Sequence, residues 1–160
     1  MTPEQRIASL ENLNLESEMG NAFIATCEDA VQMIKDRVQE FGVNAEGVNY
    51  RDYTKQYKRF KQGLVKHRPA TKNKNNSNKY KGYTDFSFTN RMWTSVGIVS
   101  STAEANEGKV VISAKGTNRD ILGYNVDRFG QILDLSNVEI AELQEAYLQR
   151  ITGAYKRAGL

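Results

Sequence analysis

The stretch FIATCEDAVQMIKDRVQEF, residues 23–41, carries apolar residues at three- and four-residue steps. That spacing places them on one face of an α-helix and leaves the other face polar and charged. The apolar members are Phe23, Cys27, Ala30, Val31, Ile34, Val38 and Phe41. We expect the helix to run from about Glu16 to Phe41, because Gly42 follows as a C-terminal stop.

The residues before this helix predict a second, shorter helix. Thr2 is suited to cap it, Pro3 fits the first turn, and Gln5 completes a capping box. The helix is expected to end near Leu13. Because no long-range partner is visible in the sequence, residues 1–20 form either this short helix or an N-terminal arm.

Two apolar runs in the second half of the chain predict a β-hairpin. They are Gly97–Ser101 and Lys109–Ser113, joined by a turn at Ala105–Gly108. Two strands alone make a marginal sheet. We therefore expect a third strand, supplied by Ile132–Leu135 or by a neighbouring subunit.

Capping residues predict three further helices. Thr89 starts a short helix over Arg91–Val96, and Thr117 starts a helix that ends near Phe129. The residues that open the last helix, Ser136-Asn137-Val138-Glu139, form a capping box. The apolar face of that helix consists of Ile140, Leu143, Tyr147 and Ile151, with Tyr155 at its end.

These elements predict the fold class and the domain organisation. The class is α+β, with long N-terminal and C-terminal helices packed on a small antiparallel sheet and with a long basic loop. A chain of 160 residues fits a single domain, residues 1–160. Trp93, the only tryptophan, is expected in the core, since buried aromatic side chains dominate small cores.

One segment carries the positive excess of the chain. Residues 50–83 hold eleven basic residues and one acid, whereas residues 1–49 hold three basic residues and nine acids. Residues 71–79 contain no apolar side chain, so we predict that 63–83 is an exposed, flexible loop. The candidate subunit-interface or DNA-passage residues of this segment are Arg51, Tyr53, Lys55, Tyr57, Lys58, Arg59, Lys61, Lys66 and Arg68.

Two interpretations of the basic segment remain open at this point. In the functional interpretation, it is an inter-subunit arm or the lining of a DNA passage, and its charge steers contact with an acidic or anionic partner. In the other, it is a solvated loop without a partner.

The sequence predicts no catalytic, cofactor-binding or metal site. Cys27 and His67 are the only residues of their types, which argues against cysteine or histidine metal sites and against a triad. His67 is interpreted as an exposed loop residue and Cys27 as a small buried hydrophobe. No apolar run approaches the ~20 residues of a membrane span, so no membrane contact is expected.

A cluster of aspartates is the remaining candidate for metal-dependent chemistry. A two-metal nuclease requires several converging carboxylates, and the chain offers Asp85, Asp120, Asp127 and Asp134. Arg119 and Arg128 flank the middle two, and Asp120 lies in the first turn of a predicted helix. Helix-start electrostatics and surface pairing explain these acids without catalysis.

Three stretches resemble the tail-completion and virion-morphogenesis proteins of tailed bacteriophages, the head–tail connector or neck family. They are YTKQYKRFK at Tyr53–Lys61, DFSFTNRMWTSV at Asp85–Val96, and GYNVDRFGQILDLS at Gly123–Ser136. Asn90 stands where the family often has glycine, and asparagine tolerates the left-handed geometry of such a turn. Gly130-Gln131 stands where the family has Arg-Pro.

The resemblance implies a structural virion protein rather than an enzyme. Such a protein forms a homo-oligomeric ring at the head–tail junction, contacts portal, adaptor or tail-tube proteins, and is assembled into the virion in the host cytoplasm. It lines or seals the passage for DNA, with transient contact to packaged DNA, and has no cofactor. The alternative is a nucleic-acid-binding module that uses the cations and aromatic side chains of residues 50–83 for phosphate contact and base stacking.

Overall fold

A computed structural model describes residues 2–12, 14–62, 80–87, 90–104 and 107–158. The helices are α1 (Pro3–Asn12), α2 (Leu15–Asp36), α3 (Lys55–Lys61), α4 (Arg91–Ser95), α5 (Asn118–Phe129) and α6 (Asn137–Arg157), and the strands are β1 (Val96–Glu104) and β2 (Glu107–Ala114). The described helices and the antiparallel strand pair confirm the predicted α+β class. Most of the predicted flexible loop, residues 63–79, lies outside the described residues.

The N-terminal helices form as the sequence predicts. The Thr2 N–H donates to Gln5 Oε1 at 2.9 Å and the Gln5 N–H donates to Thr2 Oγ1 at 3.3 Å, which is the predicted capping box. The long helix starts slightly earlier than expected, because Asn14 Oδ1 accepts the Ser17 N–H at 3.1 Å. Its end was not foreseen in detail: Arg37–Phe41 is a π-helical turn, which closes at Gly42 with φ 67°.

The hairpin is confirmed, with a shorter turn than predicted. Val96 pairs with Ala114 at its base and Glu104 with Glu107 at its tip, so Glu107 and Gly108 belong to β2. Gly108 lies against the Phe23 ring: a Cβ there would stand 2.7 Å from Phe23 Cε1. The shift of register between Ile98 and Ser100 marks a β-bulge in β1.

The predicted third strand at Ile132–Leu135 is wrong. The described residues contain a sheet of β1 and β2 alone, and residues 131–136 form bends and extended chain. The segment packs on the core instead of pairing as a strand. The Ile132 side chain is fully buried, and the Asp134 carbonyl accepts a hydrogen bond from Arg37 Nη2. A strand from a neighbouring subunit stays a prediction.

The later helices begin where the sequence predicts, but not all of them have the predicted side-chain capping hydrogen bonds. Thr89 lies outside the described residues, and Asn90 precedes α4 with φ 58°, the left-handed geometry expected for it. Thr117 precedes α5 but its side chain makes no capping hydrogen bond. The Ser136 capping box is confirmed: the Ser136 N–H donates to Glu139 Oε2 at 2.7 Å, and the Glu139 N–H donates to Ser136 Oγ at 3.1 Å.

The core lies between α2, the base of the hairpin and the segments that flank α5. Trp93 is 2% exposed, which confirms its predicted place in the core. The cluster contains Val31, Ile34, Val38, Tyr50, Phe86, Met92, Trp93, Val96, Ala114, Leu122 and Ile132. α2 packs on both strands, and α6 packs along α2.

Candidate functional site

The candidate residues of the basic segment divide between the surface and the interior. Arg51, Lys55 and Arg59 are exposed. Tyr53, Tyr57 and Lys58 are half-buried, Lys61 is buried, and Lys66 and Arg68, with His67 between them, lie outside the described residues. Among the described candidates, the exposed cations are therefore Arg51, Lys55 and Arg59.

Helix α3 sets which of these side chains face inward. The Tyr57 N–H donates to Thr54 Oγ1 at 3.3 Å, so Thr54 caps the helix as predicted. Tyr53 precedes α3, and its ring contacts that of Tyr57. Within α3, Tyr57 and Lys61 are four residues apart, which places them on one side of the helix. That side packs on the protein, and the side with Lys55 and Arg59 meets solvent.

Lys61 forms a buried ion pair, which corrects its interpretation as a surface cation. Its Nζ lies 2.6 Å from Asp85 Oδ1, and both side chains are 0% exposed. A buried ammonium needs a counter-charge, because moving an unpaired charge out of water costs several kcal/mol, roughly 3–5 kcal/mol when one partner of a pair is removed. Lys61 is therefore committed to Asp85 and is not available to a phosphate group or a neighbouring subunit.

Asp85 is the centre of a polar cluster, which we name the Asp85 cluster and which comprises Tyr53, Lys61, Asp85, Ser87 and Trp93. The Ser87 N–H and Oγ donate to its carboxylate at 3.2 and 2.5 Å, and Tyr53 Oη donates to Oδ1 at 3.1 Å. Trp93 Nε1 donates to the Asp85 carbonyl at 3.0 Å. Several donors to one carboxylate stabilise its charged form in a low dielectric.

Tyr53 is a structural member of this cluster. Besides its bond to Asp85, its Oη accepts the Phe86 N–H at 2.8 Å, which holds Phe86 in a left-handed conformation with φ 50°. The Tyr53 ring meets Tyr57 edge-on with centroids 4.8 Å apart, and Lys61 Nζ lies 5.0 Å from its centroid. Burial, followed by the charge of Asp85, raises the pKa of Tyr53. Its ring faces are thus occupied by protein and do not offer a platform for a base.

Lys58 is also partly neutralised. It pairs with Asp52, and Tyr80 Oη donates to Asp52 Oδ1 at 2.9 Å. The hydrogen bond from Lys58 is the main reason that the pKa of the Asp52 carboxyl lies below its usual value. We define the basic face by the exposed candidate cations among the described residues, which are Arg51, Lys55 and Arg59.

The aspartates considered for a metal site do not converge. Asp85 is buried with Lys61, whereas Asp120 and Asp127 are exposed on α5, and Asp134 is exposed beyond it. Among the residues that the structure describes, no three His, Cys, Asp or Glu side chains are placed to hold a metal ion.

An apolar groove, which the sequence did not reveal, opens between α2, β2 and α6. Its volume is about 400 Å³. Its walls are formed by Phe23, Thr26, Cys27, Ala30, Val110, Ile112, Leu135, Ile140, Leu143, Gln144 and Tyr147. Cys27, predicted as a buried hydrophobe, is half-buried in this wall, and desolvation raises the pKa of its thiol.

Comparison with models of known protein families, with curated proteins and with solved structures finds no match for this chain. Over the described part of the chain, no helix combines the length and the apolar character that crossing a membrane demands.

Proposed function

We propose that the chain is a non-enzymatic structural protein of a tailed-bacteriophage virion. In this proposal it forms a ring at the head–tail junction, joins the capsid and its portal to the tail, and lines or seals the DNA passage. Its partners are copies of itself and portal, adaptor or tail-tube proteins. The protein acts in the virion after assembly in the host cytoplasm.

The observation that carries this proposal is the convergence of the three stretches that resemble connector proteins. Lys61 from the first stretch pairs with Asp85 from the second at 2.6 Å. Phe129 from the third meets Phe86 edge-on, with centroids 5.0 Å apart, and the Tyr53 ring at 6.4 Å. Motifs that are individually weak therefore contribute to one packed unit, which supports treating them as the signature of one domain.

The anchored basic face fits a passage for DNA. Arg51, Lys55 and Arg59 are exposed at or beside a helix whose inner side is held by the Asp85 cluster. Phosphate contacts of this kind are electrostatic and independent of sequence. Because such contacts do not depend on base sequence, a duplex can slide past them, as a passage requires.

Exposed acids lie along the whole of α2 and in the π-helical turn that follows it, at Glu16, Glu28, Asp36 and Glu40. Glu16 and Asp36 are about 30 Å apart along the axis at ~1.5 Å per residue. Acids spaced along such a helix suit a contact with the basic segment of a neighbouring subunit, because opposite charges steer the two surfaces together.

A nucleic-acid-binding module remains the second candidate, supported by the same three cations. The inward orientation of Tyr53 weakens its base-stacking component, so the expected mode is phosphate contact alone. We expect K55E to weaken duplex DNA binding and to lower the slope of log affinity against log salt by about one. K115E is the matched control, since Lys115 is an exposed cation outside the basic face. Tight binding that K55E weakens and K115E does not would favour the binding module over a passage. Equal effects of the two variants would exclude a DNA contact at α3.

Labelling the subunit in purified phage particles tests the structural role. The proposal expects label at the head–tail junction in electron micrographs. Particles produced without the protein should accumulate as DNA-filled heads and separate tails. Absence of the subunit from particles, together with normal joining of heads and tails without it, would refute the proposal.

A further inference from the structure

Each strand of the hairpin has one unpaired edge within the described residues. β1 and β2 pair only with each other, so the outer backbone groups of both strands have no strand partner there. An exposed edge is a template for a further strand. Two strands also make only a marginal sheet, which favours its extension.

The helices above the hairpin form a wider layer than the two strands beneath them. Packed helices are separated by about 8–10 Å, whereas paired strands are only about 4.8 Å apart. α2 packs on both strands, while α6 packs on α2 and faces β2 across the apolar groove. The groove is thus the space beneath α6 that the sheet is too narrow to fill.

Two exposed apolar side chains of α6 lie in or next to the groove lining: Ile140 belongs to the lining, and Leu148 follows Tyr147 of the lining. Ile140 is 40% exposed and Leu148 is 63% exposed. At ~100° per residue, Leu148 lies on the border of the α6 face formed by Ile140, Leu143 and Tyr147. The opposite border includes Glu139 and Arg150, which pair with Arg37 and Asp29 on the α2 side. The apolar rim therefore faces away from α2, beside the free edge of β2.

We propose that strand β1 of a second copy pairs with the free edge of β2 and lies beneath α6. This inference rests on the proposed ring and names its lateral contact. Each copy donates the outer edge of β1 and receives a strand at the outer edge of β2, so the contact is heterologous and repeats around a ring. Antiparallel pairing continues from copy to copy, because β1 is antiparallel to β2 within the subunit.

Two features of β1 fit this position. Towards the hairpin tip, it carries the small, exposed side chains of Ser100, Ser101 and Thr102, which alternate between the two faces and leave room for a helix on one of them. Its bulge between Ile98 and Ser100 bends the strand. Bulges introduce the curvature that a sheet needs in order to close.

The substitution L148E in the full chain tests the contact, with V138E as its control. Val138 is 67% exposed on the same helix, about 160° from Ile140 and nearly opposite the centre of the groove face. Both sites are exposed, so both variants should keep the unfolding midpoint of the wild type. Mass by analytical ultracentrifugation and hydrogen exchange of residues 107–114 are measured over a range of concentrations.

We expect wild type and V138E to assemble beyond a dimer, with slower exchange of β2 amides in the assembly. L148E should assemble roughly tenfold more weakly or not at all, because a carboxylate would be buried without a partner. Equal assembly of L148E, or no protection of β2, would refute this contact while leaving a ring intact. A strict dimer with a protected β2 would refute it too, since the β2 strands of the two copies would then pair with each other. A wild type that stays monomeric at every concentration would contradict the self-assembly in the proposed function itself.

Discussion

The Asp85 cluster and the apolar groove are two regions of one domain with opposite mismatches: the cluster buries charged groups, whereas the groove exposes apolar ones. Around Asp85, a charged pair is fully buried and the carboxylate is satisfied by hydrogen bonds to Tyr53 and Ser87. The groove beside β2 is lined mainly by apolar side chains, and Ile140 at its rim is 40% exposed. The first region is complete within one chain, whereas the second leaves apolar surface open to water. The comparison indicates which region supports the fold and which is suited to a neighbour.

The largest expected effect comes from breaking the Asp85 cluster. D85N removes the counter-charge of Lys61 and leaves a buried ammonium, so we expect a loss of about 3–5 kcal/mol in the free energy of unfolding. Denaturant unfolding measures this loss. D52N is the control: Asp52 pairs with Lys58 at the surface, where an ion pair contributes about 0–1 kcal/mol.

A second substitution separates the charge from the shape of the cluster. K61M in the D85N background removes the stranded ammonium and keeps side chains of similar length. Most of the stability lost in D85N should return, since the two sites are in direct contact and couple. If K61M/D85N is as unstable as D85N alone, the lost charge pairing is not the cause of the destabilisation.

The second prediction compares the core with the groove by adding volume to each. Ala114 is 2% exposed within the core cluster, so A114L should cost about 1–3 kcal/mol through overpacking. Cys27 borders the groove, and C27L extends into open apolar space. We expect C27L to change the free energy of unfolding by less than about 1 kcal/mol, in either direction. Equal destabilisation by the two variants would mean that the groove is closed in solution.

Local sequence patterns predicted the elements well because their determinants lie within a few residues of each other. The Phe23–Phe41 periodicity gave the long helix, and the Ser136 and Thr2 capping boxes gave two helix starts. Two short apolar runs predicted the hairpin. The prediction of a third strand was wrong because tertiary contacts decide the segment: Ile132 is buried in the core, and Arg37 donates a hydrogen bond to the Asp134 carbonyl.

The candidate site was less predictable, because burial of a charge depends on a distant partner. Lys61 and Asp85 are 24 residues apart, and composition alone made the whole basic segment look exposed. A signal was present nonetheless: Lys61 follows Tyr57 by four residues, which assigns it to the Tyr57 side of α3 rather than to the side of Lys55 and Arg59. The groove had no such signal, since its walls come from three separate elements.

The smallest expected effect concerns the start of α6, which sets the wall of the groove. Ser136 Oγ accepts the Glu139 N–H, and Glu139 in turn binds Arg37 of the π-helical turn at 2.9 Å. S136A removes the cap and should cost about 1 kcal/mol. T117A is the matched control, because Thr117 precedes α5 without a side-chain capping bond and should be nearly neutral.

Hydrogen exchange in the first turn of α6 distinguishes a local effect from a global one. With the cap removed, amides of residues 137–140 should exchange faster while those around the Asp85 cluster keep their protection, because local opening precedes global unfolding at helix ends. A uniform rise in exchange across both regions would contradict the comparison, since it would mean that the groove wall and the Asp85 cluster open as one cooperative unit.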